Sequence, residues 1–121
     1  MKEATIGSNE EIRQEILNNY EILDTLNEII FDDITKLASS ICQTPISLIS
    51  LVDAKRQWFK SCYGLELEQT PRDISFCGHA IHQNEIFEIK DAISDFRFFD
   101  NPLVTGEPHI RFYAGAPLIT P

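Results

Sequence analysis

Positive charge is scarce in this chain: ten Lys and Arg stand against 19 Asp and Glu, a formal net charge of −9 over 121 residues. A surface of that sign offers no field for a polyanion, which argues against nucleic acid or an anionic membrane as partner. Apolar runs of the length that spans a bilayer are lacking, and the opening Met1-Lys2-Glu3-Ala4 has no apolar signal core, so membrane insertion is not expected and the cytoplasm is the expected location. Cysteine is sparse too. Cys42, Cys62 and Cys77 are an odd number at irregular spacing, which excludes the disulfide framework of a secreted mini-domain and leaves reduced thiols. No low-complexity tract, internal repeat or linker divides the sequence.

What remains is enough for one core, since 43% of the residues are hydrophobic in a length typical of a single domain. Charge is uneven: residues 1–43 carry three basic and nine acidic side chains, residues 44–121 seven and ten. Ser8 with Glu11 has the form of a capping box, and Ile12, Ile16, Tyr20 and Leu23 recur at helical spacing, predicting a helix over about residues 9–22. Thr25 with Glu28 repeats that signal before the stripe Ile30, Ile34, Leu37 and Ile41, which predicts a second amphipathic helix.

Beyond Thr44-Pro45 the β-branched run Ile46–Val52 reads as a strand and Asp53–Arg56 as a turn. Strict alternation over Gln57–Tyr63 then places Trp58, Lys60 and Cys62 on one face and Phe59, Ser61 and Tyr63 on the other. Ser75 is positioned to cap a short helix over Phe76–His82, Ile86–Ile89 reads as a strand, and Asp91–Pro108 as a long connection rich in aromatics. From Ile110 the alternation resumes, with Phe112, Ala114, Ala116 and Leu118 on an apolar face and Arg111, Tyr113 and Gly115 opposite. Two helices leading into an antiparallel sheet make an α+β domain, with residues 1–8 a disordered tail and 9–121 the folded part.

Four segments carry a resemblance. They are Tyr20-Glu-Ile-Leu-Asp-Thr25, Ile49-Ser-Leu-Val-Asp-Ala-Lys-Arg-Gln-Trp-Phe-Lys60, Thr70-Pro-Arg-Asp-Ile-Ser-Phe-Cys-Gly-His-Ala-Ile81, and Asp91 through Leu118 with its Asp95-Phe-Arg-Phe98 and Ile110-Arg-Phe-Tyr-Ala-Gly-Ala-Pro-Leu118. In this order and spacing the chain resembles the GAF domains found N-terminally in bacterial sensor histidine kinases and diguanylate cyclases, proteins of two-component and cyclic-di-GMP signalling. The resemblance implies a PAS-related central antiparallel sheet, helices packed on one face and a loop-walled pocket on the other. The family continues with a Gly-rich turn, a further strand between the first strand and the last one present here, and a C-terminal helix. These are missing, so the expectation is a partial domain that is marginal as a monomer or completes its sheet through a second copy.

The same resemblance directs attention to the loop segments, whose candidate ligand-binding residues are Trp58, Lys60, Phe76, Cys77, His79, Asp95, Arg97, Phe98, Asn101, Arg111 and Tyr113. Arginine suits an anionic or polar ligand because its guanidinium offers fixed donors, although Arg97 and Arg111 have Asp73, Asp95 and Asp100 as alternative partners. Aromatics such as Trp58, Phe76, Phe98, Phe99 and Tyr113 wall a pocket or simply fill a core. No metal site is expected, because on a helix Cys77 and His79 would lie about 200° apart, leaving only His79 and His82 on one face. Bilin attachment in phytochrome-like members uses a cysteine followed directly by histidine, whereas Gly78 intervenes here, and no other cofactor is expected. The leading functional reading is a sensory module that binds a small molecule or dimerises to control a linked kinase or cyclase, and not an enzyme. A ligand-free scaffold is the alternative, and thiol redox chemistry at Cys77 a third reading.

Overall fold

In the computed structural model, which describes residues 1–121, helix α1 runs over Glu10–Asn19 and α2 over Ile29–Cys42. Strands β1 (Ser47–Val52), β2 (Arg56–Tyr63) and β3 (Gln69–Pro71) follow and pair antiparallel in that order. These elements lie in one unit, Ser8–Arg72. The second unit, Met1–Gly7 with Asp73–Pro121, contains α3 (Cys77–Ala80), β4 (Phe87–Ile89), α4 (Pro102–Thr105) and β5 (Tyr113–Gly115), with β4 and β5 antiparallel. Mixed helix and antiparallel sheet is the expected α+β content. Strands β1 and β5 have one hydrogen-bonded neighbour each. No helix is long and apolar enough to cross a membrane.

Pairing between β1 and β2 slips at one residue. Ser61 stands opposite Ile49 and Phe59 opposite Ser50, which leaves Lys60 without a partner across the ladder. An extra residue of this kind is a bulge, and bulges re-aim side chains. Alternation predicted Lys60 on the Trp58 face, away from Ser61; instead both side chains reach the helical layer. Ser61 Oγ donates to Asp32 Oδ1 at 2.6 Å and lies 2.8 Å from Thr35 Oγ1. Lys60 is 1% exposed, and its ammonium donates to Thr25 Oγ1 (2.8 Å) and the Leu26 carbonyl (2.6 Å), pairs with Glu28 Oε2 (2.7 Å) and lies 5.7 Å from the Phe31 ring centroid.

Neither capping box forms as predicted, and at the second the Lys60 ammonium is the reason. Thr25 and Glu28 serve Lys60, Glu28 itself becomes the N-cap of α2, and the helix starts at Ile29. The 20–28 connection is further pinned by Arg56, whose Nη1 and Nη2 both reach the Asp24 carboxylate at 2.8 Å while Nε donates to Asp53. At α1 the N-cap is Asn9, and the acidic side chain that matters is Glu10. Its carboxylate takes Arg13 through two bonds of 3.0 Å and the nine-tenths buried Arg72 at 2.6 and 3.0 Å. Arg72 foremost, with Arg13, holds the Glu10 carboxyl well below the usual carboxylate range. Gly64 ends β2 in the left-handed region, at φ 84°, where a Cβ would collide with the Pro45 carbonyl oxygen.

Packing of α2 is the reverse of what its stripe suggests. The residues it buries are Thr35 and Ser39, small polar side chains that hydrogen-bond to Ser61 and to the Thr44 carbonyl, while Ile30, Ile34, Leu37 and Ile41 are 50–72% exposed. The second unit has a conventional apolar core of Phe76, Ala80, Phe87, Ile89, Ala92, Phe98 and Val104. There the predicted helix over Phe76–His82 shortens to the single turn α3. The face of β5 is also inverted: Phe112, Ala114, Ala116 and Leu118 are exposed, and Tyr113 turns inward, 5.2 Å from the Phe76 ring. Strand residues alternate, so seating Tyr113 on the aromatic cluster sends its neighbours outward.

Three expected outcomes concern the polar unit. Replacing Lys60 by Met keeps the stem but removes the ammonium, and should cost about 2–3 kcal/mol in urea denaturation, the worth of charged hydrogen bonds. Glu28→Gln, at an exposed partner, should cost less than about 1 kcal/mol. Because the folded-state pKa of Glu10 is depressed, its stabilisation is present above the ordinary glutamate carboxyl value of 4.5 and is lost as pH falls below it. Urea titrations at stepped pH should show an acid limb that flattens in Glu10→Gln.

Candidate functional site

Most of the candidate ligand-binding residues meet in the second unit. Ser75 Oγ accepts from the Gly78 N–H at 3.1 Å and so opens α3, which presents Phe76, Cys77 and His79. The Phe76 ring stacks on Phe98 at 4.4 Å between centroids with 20° between planes. His79 meets Phe98 edge-on at 4.9 Å and lies nearly parallel to Phe87 at 6.2 Å. Phe76 and Phe98 therefore fill the space that a small molecule would need between them, since stacked rings at this distance are in van der Waals contact.

Arg97 stands at the edge of this cluster. Its guanidinium lies 5.3–5.8 Å from the ring centroids of Phe87, Phe98 and Phe96, and it clasps Asp95 through Nε (3.0 Å) and Nη2 (2.7 Å). Each partner favours the other's charge: Asp95 is lowered, with Arg97 the largest cause, and Arg97 is raised, with Asp95 the largest. This pair occupies the donors that the sequence offered to an anionic ligand. Arg111 is also engaged, Nη1 donating to the carbonyls of Val104 and Ile110 at 3.0 Å. Asn101, 1% exposed, caps α4 by accepting from the Leu103 N–H and donates to the Ile74 carbonyl. Both residues fasten the 91–108 connection.

Cys77 Sγ lies 3.1 Å from the Tyr113 hydroxyl, and burial, followed by this thiol, pushes the phenol well above its ordinary value. His79 turns to the rings instead, so the Cys77–His79 pair that an activated thiolate would use is not assembled. Trp58, on β2 and buried, and Lys60 belong to the other unit. No sequence pattern pointed to the groove beside β4 lined by Glu88, Lys90, Asp91, Ser94 and Asp95.

One polar atom in the cluster is left over. His79 Nε2 is buried and has no hydrogen-bond partner. Burial above all, then the charges of Arg97, His82 and Lys2, lower the pKa of His79. Leaving a buried polar atom unpaired costs roughly 1–3 kcal/mol. Truncating Phe98, which is fully buried, should destabilise the chain by about 3–5 kcal/mol in Phe98→Ala, read by chemical denaturation, as expected where a ring fills a core.

The family model described as GAF domain matches residues 27–120. A protein of Pseudomonas aeruginosa named cyclic di-GMP phosphodiesterase is 50% identical over 111 residues, which are 92% of this chain and 19% of that protein. The chain thus spans a minor part of the length of this relative. Domains of this kind typically serve as regulatory signalling modules, and both the α+β architecture and the matched span lead to the same statement: the chain belongs to the GAF domain family.

Proposed function

We propose that this GAF domain regulates a linked output domain of cyclic-di-GMP turnover by associating with a second copy of itself through its first two helices. The observation that carries this reading is the inverted packing of α2, whose Ile30, Ile34, Leu37 and Ile41 lie outward along one face. On α1, Ile12, Ile16 and Tyr20 are exposed as well. Contiguous apolar surface at helical spacing is the mark of an association face and not of a solvated one. The residues 30, 34, 37 and 41 follow the alternating four- and three-residue steps of a coiled-coil seam. Catalysis of the phosphodiesterase type belongs, on this reading, to the output domain, as the name of the Pseudomonas relative suggests. A kinase or cyclase output fits the same module.

A second reading, a small-molecule sensor, is favoured by the orphaned Nε2 of His79, a buried polar atom beside the aromatic cluster that has no hydrogen-bond partner. On this reading a ligand would lie at the margin of the packed Phe76–Phe98 pair, near His79, Arg97, Asp95, Cys77 and Tyr113, and a cytoplasmic signal is the matching source.

Sedimentation equilibrium of the chain, alone and with Ile34→Glu or Leu37→Glu, tests the association. The wild-type chain should be dimeric at micromolar concentration, and each substitution should weaken the dimer by roughly tenfold or more, as for a central apolar interface residue. A monomer throughout would refute the proposal.

A further inference from the structure

Helix α1 is docked by its polar side. Glu10, Arg13, Gln14 and Leu17, spaced to share one helical face, are half-buried, while Ile12, Ile16 and, at the C-cap, Tyr20 are exposed, and no residue of the helix is fully buried. The bonds that tie α1 to the rest of its unit start from the first turn. Arg72 donates to the Glu10 carboxylate at 2.6 and 3.0 Å, and Arg13 Nη1 to the Val52 carbonyl at 2.7 Å. Arg13 Nε and Nη2 and Gln14 Nε2 close on the same carboxylate from within the helix. Arg72 also donates to the carbonyls of Asp53 and Ala54, at 3.2 and 3.4 Å, bonds that do not involve α1.

A helix with its apolar side chains turned outward gains little from the hydrophobic effect on docking, so its attachment rests on the ionic cluster. When it leaves, Glu10 and Arg72 return to water together, which costs far less than stranding one buried charge. Ten residues are too few for an isolated helix to persist in water, so α1 melts as it undocks, and Ile12, Ile16 and Tyr20 no longer share a face. Opening stops at the next connection, where Arg56 clasps Asp24 and Lys60 holds Thr25 and Leu26.

We propose that the Glu10–Arg72 cluster is an ionic latch on α1 whose state decides whether the α1 half of the association face exists. Closed, the helix holds its apolar stripe outward; open, the segment is disordered and the stripe is lost. This rests on the self-association reading above and names what regulates it, since the apparent affinity between copies scales with the latched fraction of each.

Native-state hydrogen exchange at stepped urea concentrations, read by NMR in the wild-type chain and in the same chain carrying Ile34→Glu, tests the latch with and without association. Amides in the middle of α1, Glu15 to Leu17, should exchange at least about tenfold faster than Phe59, whose N–H bonds to the Glu68 carbonyl, and with a weaker urea dependence. Glu10→Lys, which sets a third cation against Arg13 and Arg72, should accelerate the α1 amides by a further tenfold or more, about the worth of charged hydrogen bonds. Glu11→Lys makes the same charge change at an exposed site in the same turn and should accelerate them less than about threefold. Exchange of α1 and Phe59 in step across the urea series would overturn the latch, as would equal acceleration by the two lysines. Sedimentation equilibrium reads the regulation: Glu10→Lys should weaken the dimer by roughly tenfold, although residue 10 lies on the inward face, and an unchanged dimer would overturn it. A monomeric wild-type chain would refute self-association, and with it this regulation, while exchange in the Ile34→Glu chain still decides the latch. Should Glu10→Lys unfold the chain, the wild-type urea series decides.

Discussion

A buried ammonium must be surrounded by oxygen, and Lys60 obtains its oxygens from one short stretch of chain, Thr25, Leu26 and Glu28. The requirement propagates in both directions. Toward the sheet it demands the bulge in β2, since without the extra residue the side chain would face away from α2. Toward the helices it fixes where α2 begins and bends the preceding connection through left-handed residues at Glu21 and Asp24, the second of which is clasped by Arg56. Arg72 does the same at the start of α1 through Glu10. The unit is thus positioned by cations pointing inward from the strand region to acidic and carbonyl groups of the helical region, which accounts for the uneven distribution of charge along the sequence.

The second unit is organised on different physics. Stacked and edge-on rings dominate, and the polar side chains that the sequence marked as ligand readers are mostly consumed in holding the long connection in shape. Arg97 neutralises Asp95, Arg111 gathers carbonyls, and Asn101 caps a helical turn. Such saturation is the usual fate of polar groups at the margin of a core, because an unmet donor is costly. Against that background the unpartnered Nε2 of His79 carries more information than the arginines do.

Much of the fold was legible because it rests on local signals. The stripe of α2, the β-branched run of β1, the turn at Asp53–Arg56 and the Ser75 cap all stand within a residue or two of their predicted places. What was not legible depends on partners far apart in the chain. Alternation cannot announce a bulge, so Lys60 was placed on the wrong face. Capping boxes were read at Ser8 and Thr25 because the pattern is local, whereas the Thr25 hydroxyl is claimed by Lys60 from 35 residues away and α1 is held through Glu10, outside the Ser8 box, by Arg72 from 62 residues away. The contacts of Lys2 with Arg97 and of Thr5 with His82 have no signal at all, since the first residues take part in them through backbone atoms common to every residue. Of the site, the aromatic cluster was legible by residue type, while the direction of each ring and the inversion of β5 required the packing itself.

Taken together, the two inversions bear on how such a domain could work. On α2 the buried face is Thr35 and Ser39 while isoleucines and a leucine lie outside; on β5 Tyr113 is inside while Phe112 and Leu118 lie outside. Burying polar side chains while exposing apolar ones is unfavourable for an isolated chain, since each exposed aliphatic side chain forgoes on the order of 1.5–3 kcal/mol of transfer free energy. A sequence that retains this arrangement keeps a reserve of association energy on its surface. That reserve is released only when another surface covers it. Regulation then needs no large rearrangement of the core: it is enough that the covering surface differs between two states of the assembly, because a face that binds both states equally shifts nothing.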